Sequence, residues 1–156
     1  MIETTKLLIN YAMYHEWVIN EILLVLEKTP SLNEEILVSL NHELDIHNYW
    51  LSVIQENNVE NRTPCNSIGE IISVYNDYHE RWKRFIVSLS NQDLFRLVKF
   101  TNKNGLIKTH TIIDLLIEAF LNIEHLQRTI AQQLESKYSK KVKLGFLDYR
   151  QRLNSL

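Results

Sequence analysis

Residues Thr111–Ser136 read TIIDLLIEAFLNIEHLQRTIAQQLES, and the spacing of their apolar side chains decides the fold class. At 100° per residue, Leu116, Ala119, Phe120, Ile123, Ile130 and Leu134 fall within roughly 60° of one direction. Ile123 lies at the centre of that stripe, Gln127 about 40° to its side, and His125 roughly 160° away. A single apolar stripe sustained over so many residues is the core-facing side of a long amphipathic helix. Thr111 followed by Asp114 supplies the hydroxyl and carboxylate that open such a helix by accepting its free amides.

The same signatures recur upstream. Leu97–Thr101 and Leu106–Lys108 flank Asn102-Lys103-Asn104-Gly105, and the Asn104-Gly105 pair tolerates positive φ, which predicts a small β-hairpin. Ser90 with Asp93 predicts a short helical turn before it, and Ser67 with Glu70 opens a helix over about Ile68 to Leu89. Glu56–Asn66 is polar, contains Pro64 and is the one long connection. Ser31 with Glu34 reads as a capping box for a helix reaching Gln55, and Pro30 stops the first helix, about Thr4 to Lys28. In that first helix Leu8, Tyr11, Ala12, Tyr14, Val18, Ile22 and Leu26 recur at helical spacing. Leu144, Phe146, Leu147, Tyr149 and Leu153 predict a short terminal helix docked on the rest. Four long amphipathic helices must cover one another's stripes, so the expected fold is an all-α four-helix bundle, one domain over residues 1–156. With 3 Gly and 2 Pro in 156 residues, composition favours long helices over a turn-rich sandwich or barrel.

Composition narrows the function classes. Net charge is −2, and the basic cluster Lys137, Lys140, Lys141 and Lys143 follows a helical pattern as a solvated helix end, so nucleic acid is not an expected partner. No stretch approaches the ~20 apolar residues of a membrane span. Met1 to Asn10 carries Glu3 and Lys6 and does not read as a signal peptide, so a cytoplasmic location is expected. The lone Cys65, beside Pro64 in a polar loop, excludes an internal disulfide and reads as an ordinary loop thiol.

Enzyme signatures of general type are absent: no Gly-rich phosphate loop, no G-x-S-x-G, no H-E-x-x-H. A ferritin-like di-iron site needs Glu-x-x-His on two helices, and none of the 6 histidines has a Glu three residues before it. His15, His79 and His110 have no motif context and read as surface or packing residues. His47 points inward by phase as a hydrogen-bonded core histidine. Tyr11, Tyr14, Trp17, Tyr49, Trp50, Tyr75, Tyr78 and Trp82 could line a small-molecule pocket, but core packing or a dimer seam is the first expectation.

Several stretches carry a resemblance. Leu40-Asn41-His42 stands eight residues before Trp50; Tyr14 precedes Trp17 and leads to Asn20; Leu97–Gly105 gives a strand and a polar turn; Asp114-Leu115-Leu116, Asn122 and Arg128 follow. This order resembles the DinB-like (YfiT-like) metalloenzyme family over nearly the whole chain. The resemblance implies a four-helix bundle holding one divalent metal through three histidines: one from the second helix in a Leu-Asn-His setting, two from the fourth in Asn-His-x-x-x-His-Arg. Such a site leaves coordination positions open for water or substrate, used in some relatives for thiol transfer or hydrolysis.

On that pattern His42 is the one ligand carried over, while Ile123 and Gln127 stand where the other two histidines should be. A one-residue shift of register would offer Glu118 and Asn122 instead. Ile cannot ligate, and a neutral amide is a poor transition-metal ligand. The expected metal is therefore none, or a weakly held zinc or nickel ion, and the expected function is binding of a small molecule or self-association. The alternatives are a working metal-dependent thiol transferase or hydrolase, and a structural homodimer. A homodimer is expected because the second helix has two apolar faces, Leu40/Leu44/Leu51 and Ile46/Trp50/Val53, of which one small bundle would cover only one well.

Overall fold

The computed structural model describes residues 3–29, 31–142 and 144–153. The chain is mostly helical: α1 (Glu3–Glu27), α2 (Glu34–Ile54), α3 (Ile68–Ser88), α4 (Asn91–Leu94), α5 (Ile112–Tyr138) and α6 (Phe146–Leu153), with a two-stranded sheet, β1 (Leu97–Thr101) and β2 (Ile107–Thr111), before α5. Expectations for Pro30, Lys143 and the side chains of Leu147 and Leu153 fall outside the described residues.

The N-terminal caps depart from expectation at α2 and at α3. The α2 cap is Asn33, whose side chain accepts from the amides of Glu35 and Ile36, so the Ser31–Glu34 box does not form. Asn33 immediately precedes the first helical residue, where a cap must stand, whereas Ser31 lies two residues further out. At α3, Ser67 accepts from the Glu70 amide, but the Glu70 carboxylate turns back to the Asn66 amide. Ser90 and Asp93 form the full reciprocal box, and Thr111 accepts from the Asp114 amide. The hairpin pairs Leu97 with Thr111 and Thr101 with Ile107, and Gly105 takes the positive φ of 75° that its turn needs.

α1 packs against α3 and α5, and α2 against the same two helices. Glu43 meets Tyr75 and His47 meets Trp82, so α2 and α3 run the same way. Glu35 meets Gln133 while Glu43 meets Gln127, so α5 runs opposite to α2. Thr4 and Leu7 share a groove with Ile113 and Ile117 while His15 meets Gln127, so α1 and α5 are parallel. The order is up, down, down, up, and the 55–67 connection is long because it must return along the molecule between two parallel helices.

All six apolar positions of the α5 stripe are buried, with Ile123 fully so, and Gln127 is buried among them at 1% exposure. Both faces of α2 are covered within the chain, since Ile46, Trp50 and Val53 are 8%, 9% and 5% exposed. β1 packs on α2, and the 55–67 connection is tied to it through Asn41 and Asn48. The reason given above for a dimer through α2 therefore does not hold. Tyr11, expected in the α1 stripe, is instead 37% exposed. α6 docks on α1, where Phe146 stacks on Tyr11 and the Tyr14 hydroxyl donates to the Leu144 carbonyl. The basic cluster is a helix end: Lys137 pairs with Glu35 and Lys141 with Glu135.

Candidate functional site

The four long helices bring a polar cluster to the middle of the apolar core. α1 contributes His15, α2 Glu43 and His47, α3 Tyr75, His79 and Trp82, and α5 Gln127, all of them buried. Gln127 ties three helices together. Its Nε2 donates to Glu43 Oε1 at 2.9 Å and to the His15 carbonyl at 3.1 Å, while its Oε1 stands 3.1 Å from His15 Nδ1. As the Gln127 amide oxygen can only accept, His15 Nδ1 carries the proton of the neutral ring. Tyr75 donates to the other Glu43 oxygen at 2.8 Å.

Trp82 Nε1 donates to His47 Nδ1 at 2.9 Å. The indole nitrogen is a donor only, so His47 Nδ1 is an acceptor and its proton sits on Nε2. That Nε2 faces Glu43 Oε1 at 3.6 Å, too long for a hydrogen bond, and the pair is not a salt bridge because burial keeps the ring neutral. His79 lies between Tyr75 and His47, with ring centroids 5.8 and 5.7 Å away. Neither of its nitrogens, nor His15 Nε2 or His47 Nε2, has a hydrogen-bond partner among the described residues.

Burial governs the protonation of the cluster. Desolvation lowers His15 to a pKa of about 4 and His47 to about 3, and holds His79 well below its ordinary value. The same desolvation raises Glu43 to about 7, opposed by its hydrogen bonds from Tyr75 and Gln127, which favour the carboxylate. Tyr75 is driven well above 10 by burial first and then by the Glu43 charge.

The ligand set implied by the resemblance does not assemble. His42 is exposed and lines a surface hollow with Asp45, Tyr49, Arg62 and Lys103. The α2 residue that meets Gln127 is Glu43, one position later. Glu118 is exposed and Asn122 half-buried, and the Asn122 amide donates to Glu118 Oε1 at 3.1 Å. Glu118 lines a different hollow, with Trp50, Lys108, His110 and Asp114. Among the described residues no group of three or more His, Cys, Asp or Glu side chains is placed to hold a metal ion. At the two α5 positions that the resemblance assigns to histidines, Ile123 has no donor atom and both ends of the Gln127 amide are engaged, while each Glu43 oxygen accepts a hydrogen bond.

Sequence reasoning missed Glu43, His15 and His79, although phase carries all three. Leu40, Glu43, Leu44, His47 and Leu51 form one stripe of α2; Ile71, Tyr75, His79, Trp82 and Ile86 one of α3; Leu8, Ala12, His15, Ile19 and Ile22 one of α1. Cys65 is a free thiol in the 55–67 connection, and its burial is what sequence reasoning did not show. It is buried, its backbone clamped by the Asn41 side chain and its Sγ 3.4 Å from Arg62.

A second feature lies at the surface. Between α1 and α5 runs a groove of about 320 Å³ lined by Leu7, Leu8, Ile113, Ile117, Phe120 and Leu121, with Thr4, Tyr11 and Glu124 at its margins. Phe120 forms part of the groove wall and stacks on His15 beneath it at 5.4 Å. No family model matches the chain, and no curated protein matches it either.

Proposed function

We propose that this chain is a cytoplasmic four-helix bundle of the DinB-like type in which a hydrogen-bonded core stands in place of three-histidine metal chemistry. In this reading it works as a binding protein through the apolar face between α1 and α5. The observation that carries the proposal is Gln127. It occupies a position where the resemblance calls for an imidazole, yet both ends of its amide are spent on Glu43 and His15. Ile123, fully buried one turn earlier, supports the same reading. The hairpin lies between the third and fourth long helices, where the resemblance places it.

The test is metal content, with zinc, nickel, manganese and iron measured together on the purified protein. The expected value is below about one metal per five chains, because no open three-donor site remains. Ile123→His with Gln127→His should then create tight zinc or nickel binding that is lost on adding His47→Ala or Glu43→Gln. It should persist with His42→Ala, since His42 faces another hollow. A parent protein that carries one metal per chain and loses it on Glu118→Ala would overturn the proposal in favour of a metal-dependent enzyme.

A further inference from the structure

On the α2 side of α5 lies a hollow of about 320 Å³ built by three elements. α2 gives it Tyr49 and Trp50, the hairpin Phe100 and Lys108, and α5 Asp114 and Glu118. Local rules place each of them. Alternation along the hairpin sets Val98 and Phe100 opposite His110 and Lys108 on one face, and buried Val98 turns that face towards the bundle. Thr111 ends β2 and caps α5, so the strand runs straight into the helix. Asp114 and Glu118, spaced i, i+4, then fall on one side of its first turns.

The charges of the hollow are unbalanced. Like charges one turn apart weaken a helix, and neither carboxylate has an ion-pair partner among the described residues. Thr111 donates to one oxygen of Asp114 and Asn122 to one oxygen of Glu118, which leaves the second oxygen of each without a hydrogen bond among those residues. Lys108 lines the same hollow without pairing to either, so with His110 neutral one negative charge is in excess. The walls suit a cation, since Tyr49, Trp50 and Phe100 all present aromatic rings. Tyr49 already attracts one ammonium, with Lys103 Nζ 5.6 Å from its ring centre. Trp50 is 9% exposed, and its indole N–H, a donor only, makes no hydrogen bond among the described residues.

We propose that this hollow binds a small aromatic primary amine. Its ammonium sits between Asp114 and Glu118, where it donates to their free oxygens and relieves their mutual repulsion. Its ring packs against Tyr49, Trp50 and Phe100, and a hydroxyl on it accepts the Trp50 N–H. An amino acid would bring its own carboxylate into the same negative field, so net charge selects the amine. The hollow and the α1–α5 groove lie on different sides of α5, so this site goes beyond the binding face proposed above.

Calorimetric titration of the full chain with tyramine at neutral pH tests it. The comparisons are tyrosol, in which a hydroxyl replaces the ammonium, and tyrosine, which adds a carboxylate. Tyramine should bind at least about tenfold tighter than either. Glu118→Gln should weaken tyramine at least about fivefold, and Lys108→Gln, which removes the competing cation, should tighten it at least about twofold. Both positions are exposed, so helicity, followed by far-ultraviolet dichroism, should not change. Leu121→Asp in the α1–α5 groove should leave the affinity as it is. In nitrogen–proton spectra the indole signal missing from Trp50→Phe should be the one that shifts on titration. Absence of tyramine binding at millimolar concentration would overturn the proposal, as would equal binding of tyrosol, tighter binding of tyrosine or indifference to Glu118→Gln. So would loss of binding on Leu121→Asp, because the groove would then be the site.

Discussion

Gln127 and Glu43 show how a single residue can redirect a core. A histidine at position 127 would aim a ring nitrogen into the space between helices, whereas the amide of Gln127 spans it. It donates to a carboxylate on α2 and a carbonyl on α1, and accepts from the His15 ring. The cost falls on Glu43, a fully buried carboxyl with no cation beside it, whose pKa rises to about 7 against an ordinary 4.5. A raised carboxyl pKa stabilises the fold below the unfolded value, and that contribution is lost as pH climbs through the folded one. Glu43→Gln, which copies the neutral acid, should raise stability by less than ~1 kcal/mol at pH 5. At pH 8 it should raise stability by up to ~3 kcal/mol, the free energy of about two and a half pKa units. Thermal melts at the two pH values check this, and an equal effect at both would remove Glu43 from the account.

At the scale of elements, the chain's helices and hairpin were legible because each has its own local signal. The α5 stripe, the Ser90–Asp93 box and the Asn104-Gly105 turn depend only on near neighbours, and each appears as read. The start of α2 was misread because Ser31 and Asn33 both qualify as caps, and only the one that immediately precedes the first helical residue serves. Asn33→Ala should cost ~1 kcal/mol in denaturant unfolding, while Ser31→Ala should change little. The polar centre was harder to see. Phase placed Glu43, His15 and His79 on core-facing stripes, but a charged or imidazole side chain is ordinarily assigned outward, and only its partners on other helices reverse that. The Leu40-Asn41-His42 stretch, read as a ligand setting, serves structure at its middle residue. Asn41 holds both the amide and the carbonyl of Cys65, and Arg62 adds bonds to Asn41 and Asp45. Breaking charge-assisted bonds of this kind is worth ~1.5–3 kcal/mol, so Arg62→Ala should speed labelling of the buried Cys65 thiol at least about tenfold under native conditions. Unchanged labelling would mean that the 55–67 connection is held elsewhere.

For the whole molecule, the position of the polar cluster makes acid its point of weakness. His15, His47 and His79 come from three different helices and are each packed against the residues that join them. Their pKa values are lowered, to about 4 for His15, about 3 for His47 and well down for His79. A lowered histidine pKa stabilises the fold above the unfolded value of about 6.5, and that stability drains away as pH falls towards the folded value. Glu43 acts in the opposite sense over the same window, taking up one proton in the folded state before the unfolded chain does. Between about pH 6.5 and 4.5 the unfolded chain thus binds about three histidine protons against one carboxyl proton in the folded chain. The net difference of about two protons makes stability fall by ~2.7 kcal/mol per pH unit. Against a typical total of ~5–15 kcal/mol, two such units remove a large part of the fold's stability. The chain should therefore unfold cooperatively, with a midpoint above about pH 4. Replacing His79, which has no hydrogen-bond partner among the described residues, with Leu should move that midpoint down and reduce the proton uptake by about one. Far-ultraviolet dichroism followed through an acid titration gives the midpoint, and calorimetry in buffers of different ionisation heat counts the protons. A wild-type chain still helical and cooperatively folded at pH 3 would show that the buried imidazoles find protons without opening the helices.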